Sequence, residues 1–355
     1  MATINKTPSR LTIINSNNIS SLDLFRGIAG YGVAICHFYY YLFKLNYFQF
    51  YSIFFVEFFF VLSGFVLTPQ LQRVYNNTKD IKIFYFRRWL RTIPPYLIAL
   101  VCYSIAFAKF DIDTLKYLLF IQNTFNNFVD SDYFYIAWSL SIEEFFYLIF
   151  PIFLIVFNKS KFIHIVILFI LTIYGIKFAY LLLNNADGEF YRIGTFLRLD
   201  SIAFGILTRI YFNKIKNSLI NMLSIILVVF SLYYFSQDYK NLTTVKLFLF
   251  VLLIQYFSVN IIIIFVNFDR LIVNTFLIRF FSILSKQTYS VYLFHFAIIY
   301  LISTNSFLLS NEFIFIFYLI FLFLFSSFFY YIFEKNIMKT RPAYKDKNIS
   351  QQGSQ

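Results

Sequence analysis

The sequence predicts an all-α integral membrane protein of about ten transmembrane helices, with both termini cytoplasmic. Composition is the first reason. Of 355 residues, 60% are hydrophobic, 24% aromatic and only 13% charged, too little charge to cover a water-soluble globule of this size. Spacing is the second: nine Gly and six Pro punctuate long Phe, Ile and Leu runs. Stretches such as Ile165 to Leu171 and Ile261 to Val266 lack the two-residue alternation of an outer-membrane barrel. The distribution of Lys and Arg is the third.

Apolar windows of about 20 residues, the length a bilayer core of roughly 30 Å demands, fall near 24–43, 50–68, 89–110, 138–157, 162–183, 194–212, 217–236, 245–266, 281–302 and 312–333. With the N-terminus inside, the inner segments hold Lys6, Arg10, Arg73, Lys79, Lys82, Arg87, Arg88, Arg91, Lys159, Lys161, Arg209, Lys214, Lys216, Arg270, Arg279, Lys286, Lys335, Lys339, Arg341, Lys345 and Lys347. The outer loops hold Lys44, Lys116, Arg192, Lys240 and Lys246, and this asymmetry obeys the positive-inside rule for an even number of spans. The formal charge of +13 is scattered over separate loops, which argues against a nucleic-acid surface.

The chain divides into a polar cytoplasmic segment, 1–21, a transmembrane domain, 22–335, and a polar tail, 336–355, expected to be disordered beyond Thr340. Met1 to Ser21 does not resemble a cleaved signal peptide, and no appended soluble catalytic domain is expected. Chemistry must then come from the spans and short loops. The longest outer loop, 111–137, carries Asp111, Asp113, Asp130 and Asp132 and is a candidate mouth for an acceptor site. Cys36 and Cys102 lie in apolar stretches without metal-ligand spacing and read as inert buried thiols; no metal site is expected.

Ionisable groups inside spans cost roughly 2.5–3.5 kcal/mol each on insertion scales, which makes each a functional candidate. They are Arg26, His37, Glu57, Glu143, Glu144, Lys177, Arg198, Asp200 and His295. Arg26 and His37 are eleven residues apart, so they return within about 20° of one helix face, roughly 16 Å apart along the axis. His37 falls in the outer half of the first span, at a depth that Glu57 reaches on the second, and a His–carboxylate pair is geometrically allowed. His suits general-base work near neutral pH, and the alternative is a packing residue bonded to a neighbouring helix.

Glu143 and Glu144 are adjacent and point about 100° apart, so at most one shares a site with the other residues; the alternative is an ion pair with Arg198. Arg198 and Asp200 are two apart and do not face each other, so each is expected to pair with another span. Lys177 is expected to snorkel towards the outer interface without a role. Arg88 and Arg91, at i and i+3, share a helical face whose guanidinium forks suit a phosphorylated donor, unless they are ordinary positive-inside anchors.

Six ordered stretches together resemble the membrane-bound acyltransferase-3 family, whose members transfer acyl groups onto sugars and related envelope acceptors. They are Leu22-Asp-Leu-Phe-Arg26-Gly-Ile-Ala29 followed by His37; Phe54-Phe-Val-Glu57-Phe-Phe-Phe-Val-Leu-Ser63-Gly64-Phe65; Arg88-x-x-Arg91-x-x-Pro94; Trp138-Ser-Leu-Ser-Ile-Glu143-Glu144-Phe-Phe-Tyr147; Arg198-Leu-Asp200-Ser-Ile-Ala-Phe-Gly205; and Ser285-Lys-Gln-Thr-Tyr289-Ser-Val-Tyr-Leu-Phe-His295. Glu57 departs from the Asp that many members carry, keeping the charge on a longer arm.

The resemblance implies that His37 is catalytic and that Arg26, Arg88 and Arg91 are needed for activity; His37 is expected to act as general base, with Glu57 and Glu143 in the catalytic group. Arg26, Arg88 and Arg91 would bind the donor, and Glu144, Arg198, Asp200 and His295 would be acceptor-side or structural. The implied donor is cytoplasmic acyl-coenzyme A, commonly acetyl-coenzyme A, used as substrate with no permanently bound cofactor. The implied acceptor is a hydroxyl of an envelope glycan or lipid-linked sugar, and the implied location is the bacterial inner membrane. Arg26, Arg88 and Arg91 are expected on the donor side, and His37, Glu57, Glu143, Arg198 and Asp200 in the outer half. Ser63 is a candidate nucleophile, although its Ser-Gly pair equally suits close helix packing. Length sets the chain apart from members with a fused extracytoplasmic esterase-like domain. A polysaccharide exporter or polymerase, which needs no acyl donor, and a proton-coupled transporter are the competing readings.

Overall fold

The computed structural model describes residues 19–124, 129–130, 132–183, 188–215, 218–236, 243–269, 272, 274–304 and 311–344. Lys6, Arg10, Lys216, Lys240, Arg270, Lys345 and Lys347, which entered the charge count, lie outside the described residues, as does most of the expected N-terminal segment.

The described residues are helical throughout, without a strand. The helices are α1 (Ser20–Phe43), α2 (Asn46–Asn76), α3 (Ile81–Ala106), α4 (Ile112–Leu118), α5 (Ala137–Val156), α6 (Phe162–Leu183), α7 (Gly188–Ile193), α8 (Leu199–Ile215), α9 (Ser218–Ser236), α10 (Thr244–Phe268), α11 (Thr275–Thr304) and α12 (Asn311–Phe329). A π turn, Tyr330–Glu334, leads on into α13 (Lys335–Lys339). Each apolar window falls on one of these helices. Seven helical segments are long and apolar enough to cross a membrane: Asn46–Asn76, Thr78–Ala106, Ala137–Val156, Phe162–Leu182, Leu219–Ser236, Thr244–Phe268 and Glu312–Lys339. The other three long helices, α1, α8 and α11, carry the polar residues of the site. The windows missed α4 and α7, whose seven and six residues are too short for a hydropathy signal.

Local chemistry explains the boundaries. Asp23 in the first turn of α1 complements the helix dipole, and the helix ends at Lys44, whose φ of 57° forms a left-handed cap with its amide donating to the Tyr39 carbonyl. Helix α2 runs beyond its apolar window because Gln70, Gln72 and Arg73 end the hydropathy but not the backbone ladder. Pro69, Pro94, Pro95 and Pro151 sit inside helices, each removing one donor from the backbone ladder.

Helices α1, α2, α8 and α11 form the centre of the bundle, while α9 and α12 are the least enclosed. The α2–α8 crossing is set by two glycines. A Cβ on Gly64 would lie 1.8 Å from the Ile202 carbonyl oxygen, and one on Gly205 would lie 1.9 Å from that of Val61. Only hydrogen side chains let the two backbones come this close, so Gly64 has the packing role expected of the Ser-Gly pair.

Three expectations are corrected. Cys36 is buried, but Cys102 is exposed on the flank of α3, where an apolar thiol meets the same lipid as its neighbours. The segment after Thr340 is not featureless, because Arg341 to Tyr344 pack back onto the bundle. The acidic outer loop is largely engaged with itself. Asp111 caps α4 through the Asp113 amide at 3.0 Å, Asp113 pairs with Lys116 at 2.8 Å, and the Tyr117 hydroxyl donates to Asp132 at 2.8 Å. Asp132 is exposed as a residue, yet desolvation of its carboxylate outweighs the Tyr117 hydrogen bond and raises its pKa above the ordinary value.

Candidate active site

A cleft enclosing about 810 Å³, counting space open to solvent, lies between α1, α2, α3, α5 and α11. Arg26 enters it from α1, Ser63 from α2, Arg88 and Arg91 from α3, Glu143 and Tyr147 from α5, and Tyr292 from α11. The i, i+3 spacing of Arg88 and Arg91 does place both guanidiniums on the cleft. Arg26 donates to the Ser285 hydroxyl at 2.9 Å and faces Asp23 at 3.4 Å. Arg88 donates to Gln70 Oε1 at 2.8 Å, but its buried Nε has no hydrogen-bond partner. Among the described residues neither Arg88 nor Arg91 forms an ion pair. Gathered cations with no carboxylate partner are a site prepared for an anion.

Glu143 is the acidic group of the cleft, where it accepts from the Ser63 hydroxyl at 2.7 Å and from the Tyr147 hydroxyl at 3.2 Å. Its expected place with the outer residues is corrected. Glu143 lies six residues into α5, about 9 Å along its axis, and that depth brings it to the arginines. Glu144 turns the other way, as adjacent helical residues must, and is buried beside Thr92.

Higher on α1, His37 is buried and meets His295 of α11, with Nδ1 2.9 Å from the His295 Nε2 and the rings stacked at 5.1 Å. The tautomers follow from the neighbours. His295 Nδ1 lies 2.8 Å from the Tyr292 carbonyl and 3.1 Å from that of Val291, so it must carry the hydrogen. Its Nε2 then accepts from Nδ1–H of His37, which leaves the lone pair on His37 Nε2. Tyr292, whose carbonyl sets this order, lines the cleft and bonds Ser139 through its hydroxyl. Tyr292 is thus the residue between the histidine pair and the cleft, whose lining does not include the histidines themselves.

The expected His37–Glu57 pair does not form. Glu57 is ion-paired with Arg198, which also donates to the Arg192 carbonyl at 3.0 Å. In a dry interior a carboxylate goes to the partner that neutralises it, and a guanidinium does so where a neutral imidazole does not. Arg198 therefore pairs with neither Glu143 nor Glu144. Lys177 does not snorkel: it is buried and reaches Asp200 at 2.6 Å, and Gln255 donates to Asp200 at 3.1 Å and to Ser201 at 2.7 Å. Arg198 and Asp200 each find another span, as their spacing requires. The cluster balances two cations with two anions and ties α2, α6, α8 and α10 together.

Arg192 escaped the sequence reading, which left it among the outer-loop charges. It is buried, lies 5.2 Å above the Trp138 ring and donates to the Tyr135 hydroxyl at 2.9 Å. Helix α7, the element that carries it inward, has too few residues to be seen in a hydropathy profile. Among the described residues no three His, Cys, Asp or Glu side chains gather as a metal site.

A family described as an acyltransferase domain matches residues 19–333. The chain belongs to this acyltransferase family. All six motifs lie inside the match, as does every residue of the cleft and of the histidine pair. A Staphylococcus aureus (strain COL) protein named "Putative O-acetyltransferase" is 26% identical over 83% of this chain and 53% of its own length. The peptidoglycan O-acetyltransferase OatA of Listeria monocytogenes is 36% identical over 29% of this chain and 20% of its own length. The chain spans about half the length of the first of these relatives. No solved structure matches. Within the matched region the arginines line the cleft and the histidine pair lies behind Tyr292.

Proposed function

We propose that this chain is an O-acetyltransferase that moves an acyl group, acetyl, from cytoplasmic acyl-coenzyme A to a hydroxyl of a cell-envelope glycan or lipid-linked sugar. The observation that carries the reading is the cleft on which Arg26, Arg88 and Arg91 gather, with Tyr292 on its wall and the Tyr292 carbonyl orienting the His295–His37 pair so that His37 Nε2 is left as an acceptor. The proposed fold has ten crossings of the bacterial inner membrane with both termini cytoplasmic, counting α1, α8 and α11 with the seven apolar spans. Residues 22–335 form the transferase domain.

The donor's phosphates bind the arginines and its thioester reaches into the cleft. His37 Nε2 removes the proton of the acceptor hydroxyl, whose oxygen attacks the thioester carbonyl. The C–S bond breaks and the departing thiolate takes up the proton from His37, so no cofactor is consumed. Glu143 orients Ser63 and Tyr147 at the arginine end, Glu57 acts by holding Arg198, and His295 holds His37. Glu144, Arg198 and Asp200 maintain the walls. The name of the Listeria relative makes peptidoglycan the first acceptor to test. Purified protein in lipid nanodiscs is given radiolabelled acetyl-coenzyme A and envelope glycans. Labelled glycan is expected from the wild type and not from His37→Ala; undiminished labelling by His37→Ala refutes the proposed base. Cysteine labelling that found Arg88 and Arg91 on the external face would refute the orientation.

A further inference from the structure

Beyond the cleft, at the arginine end, the segment after α13 folds back over the bundle. Arg87 Nη1 donates to the Pro342 carbonyl at 2.7 Å. The Tyr344 ring receives Arg73 at 5.0 Å and Arg87 at 5.3 Å, measured from the guanidinium carbons. Arg341 is left with Nε and Nη2 buried and without a hydrogen-bond partner, and the Tyr344 hydroxyl is in the same condition. Arg341 also feels Arg91, Arg88 and Arg87; burial first and these like charges next push its guanidinium down to about 10. Such crowding of cations is unfavourable unless an anion completes it.

Among the described residues no acid forms an ion pair with Arg87, Arg88, Arg91 or Arg341, although Glu334 acts on Arg91 and Arg341. Asp23 is bonded by Ser285 as well as Arg26, Glu334 by Ser290 and Glu143 by Ser63, while Asp80 acts on Tyr344. Arg87 and Arg341, next to Arg88 and Arg91, thus form no ion pair among the described residues. A phosphomonoester carries about −1.5 to −2 charge at neutral pH, which suits a pair of guanidiniums, whereas a phosphodiester of a lipid carries one. Coenzyme A bears one phosphomonoester, the 3′-phosphate of its ribose, close to the diphosphate. A donor whose diphosphate lies on Arg88 and Arg91 brings that group to the adjoining rim.

We infer that Arg87, held by the Pro342 carbonyl and the Tyr344 ring, and Arg341, with its unpartnered Nε and Nη2, form a second anion subsite that takes the 3′-phosphate of the coenzyme A donor. This rests on the acyl-transfer reading above. It adds a specificity element carried by the post-helical segment, beyond the matched residues.

The test compares acetyl-coenzyme A with acetyl-dephospho-coenzyme A, which lacks only that phosphate, using the full chain in zwitterionic nanodiscs. Wild type is expected to show a KM about tenfold lower for acetyl-coenzyme A, the gain of one charge-assisted contact. In Arg341→Gln and in Arg87→Gln the ratio of the two KM values is expected to fall towards one. Equal KM values in the wild type, or a ratio that survives in both variants, overturns the subsite. The wild-type ratio decides this even if a variant fails to fold. Absence of transfer from both donors would instead refute the acyl-transfer reading. Repeating the wild-type measurement with anionic phospholipid is expected to leave the ratio in place; its loss would assign the site to a lipid headgroup and overturn the inference.

Discussion

His37 Nδ1 lies 2.9 Å from His295 Nε2, and two backbone carbonyls on the far side of His295 decide which imidazole donates. His295 thereby fixes the tautomer of a residue 258 positions away in sequence. His295→Gln presents an amide oxygen near the place of Nε2, while His295→Asn stops short of it. Gln is expected to keep kcat within about tenfold of wild type, whereas Asn and Ala lose about 10²-fold, the lower end of what a misplaced general base costs. Steady-state kinetics checks the order; equal losses in all three variants would mean that His295 only fills space. Nitrogen-15 spectra give an independent reading, because the chain has three histidines and the third, His164, is exposed. The expected signal for His37 is protonated Nδ1 and bare Nε2.

Glu57 and Arg198 are both buried and neutralise each other. Glu57→Leu leaves a guanidinium uncompensated and is expected to destabilise the protein by about 3–5 kcal/mol. The double variant Glu57→Leu with Arg198→Met removes both charges and should recover most of that loss in thermal unfolding. Additive losses would show that the two residues do not act as a pair.

Gly64→Ala sets a methyl group against the Ile202 carbonyl, part of a rigid backbone. The cost should lie at the upper end of the roughly 1–3 kcal/mol typical of overpacking. A methyl group on Gly175 would meet no atom within 4 Å, so Gly175→Ala is expected to leave the unfolding temperature near wild type.

Arg88→Lys keeps a positive charge but loses the planar fork and the bond to Gln70 Oε1. The KM for the acyl donor is expected to rise about tenfold with a smaller change in kcat. A kcat effect alone would move Arg88 from binding to chemistry.

Asp132 has a raised pKa in the folded protein. A group of that sign favours the folded state below the ordinary carboxylate range and withdraws that favour as pH rises through its folded pKa. Asp132→Asn is therefore expected to gain stability relative to wild type as pH increases from acid towards neutral. Thermal unfolding across that interval checks the sign.

The helices were legible because the apolar runs are long, and the charges that interrupt them were legible as candidates because a membrane tolerates few of them. What could not be read was who pairs with whom. Helical periodicity put Arg26 and His37 on one face and Arg88 beside Arg91, and both relations concern a single helix. Pairing Glu57 with Arg198 instead of His37, or Lys177 with Asp200, depends on rotations between helices that one sequence does not encode locally. His295 stood in a motif, yet its bond to His37 joins α1 to α11, 258 positions apart. Arg192 and Arg341 were missed for a different reason: each sits in a short element next to a span, where hydropathy counts it as a loop charge.

The π turn at Tyr330–Glu334 adds a residue to the winding of the last long helix. An ordinary α-helical path would reset everything after it by about 100° per residue. That widened turn aims Glu334 at Ser290 and returns Arg341 and Tyr344 over the arginine end. The register of the C-terminal helix thus sets where the basic segment lies, at the donor entrance we propose, and a one-residue deletion there would turn that segment away from the bundle while leaving the span itself long enough to stay in the membrane.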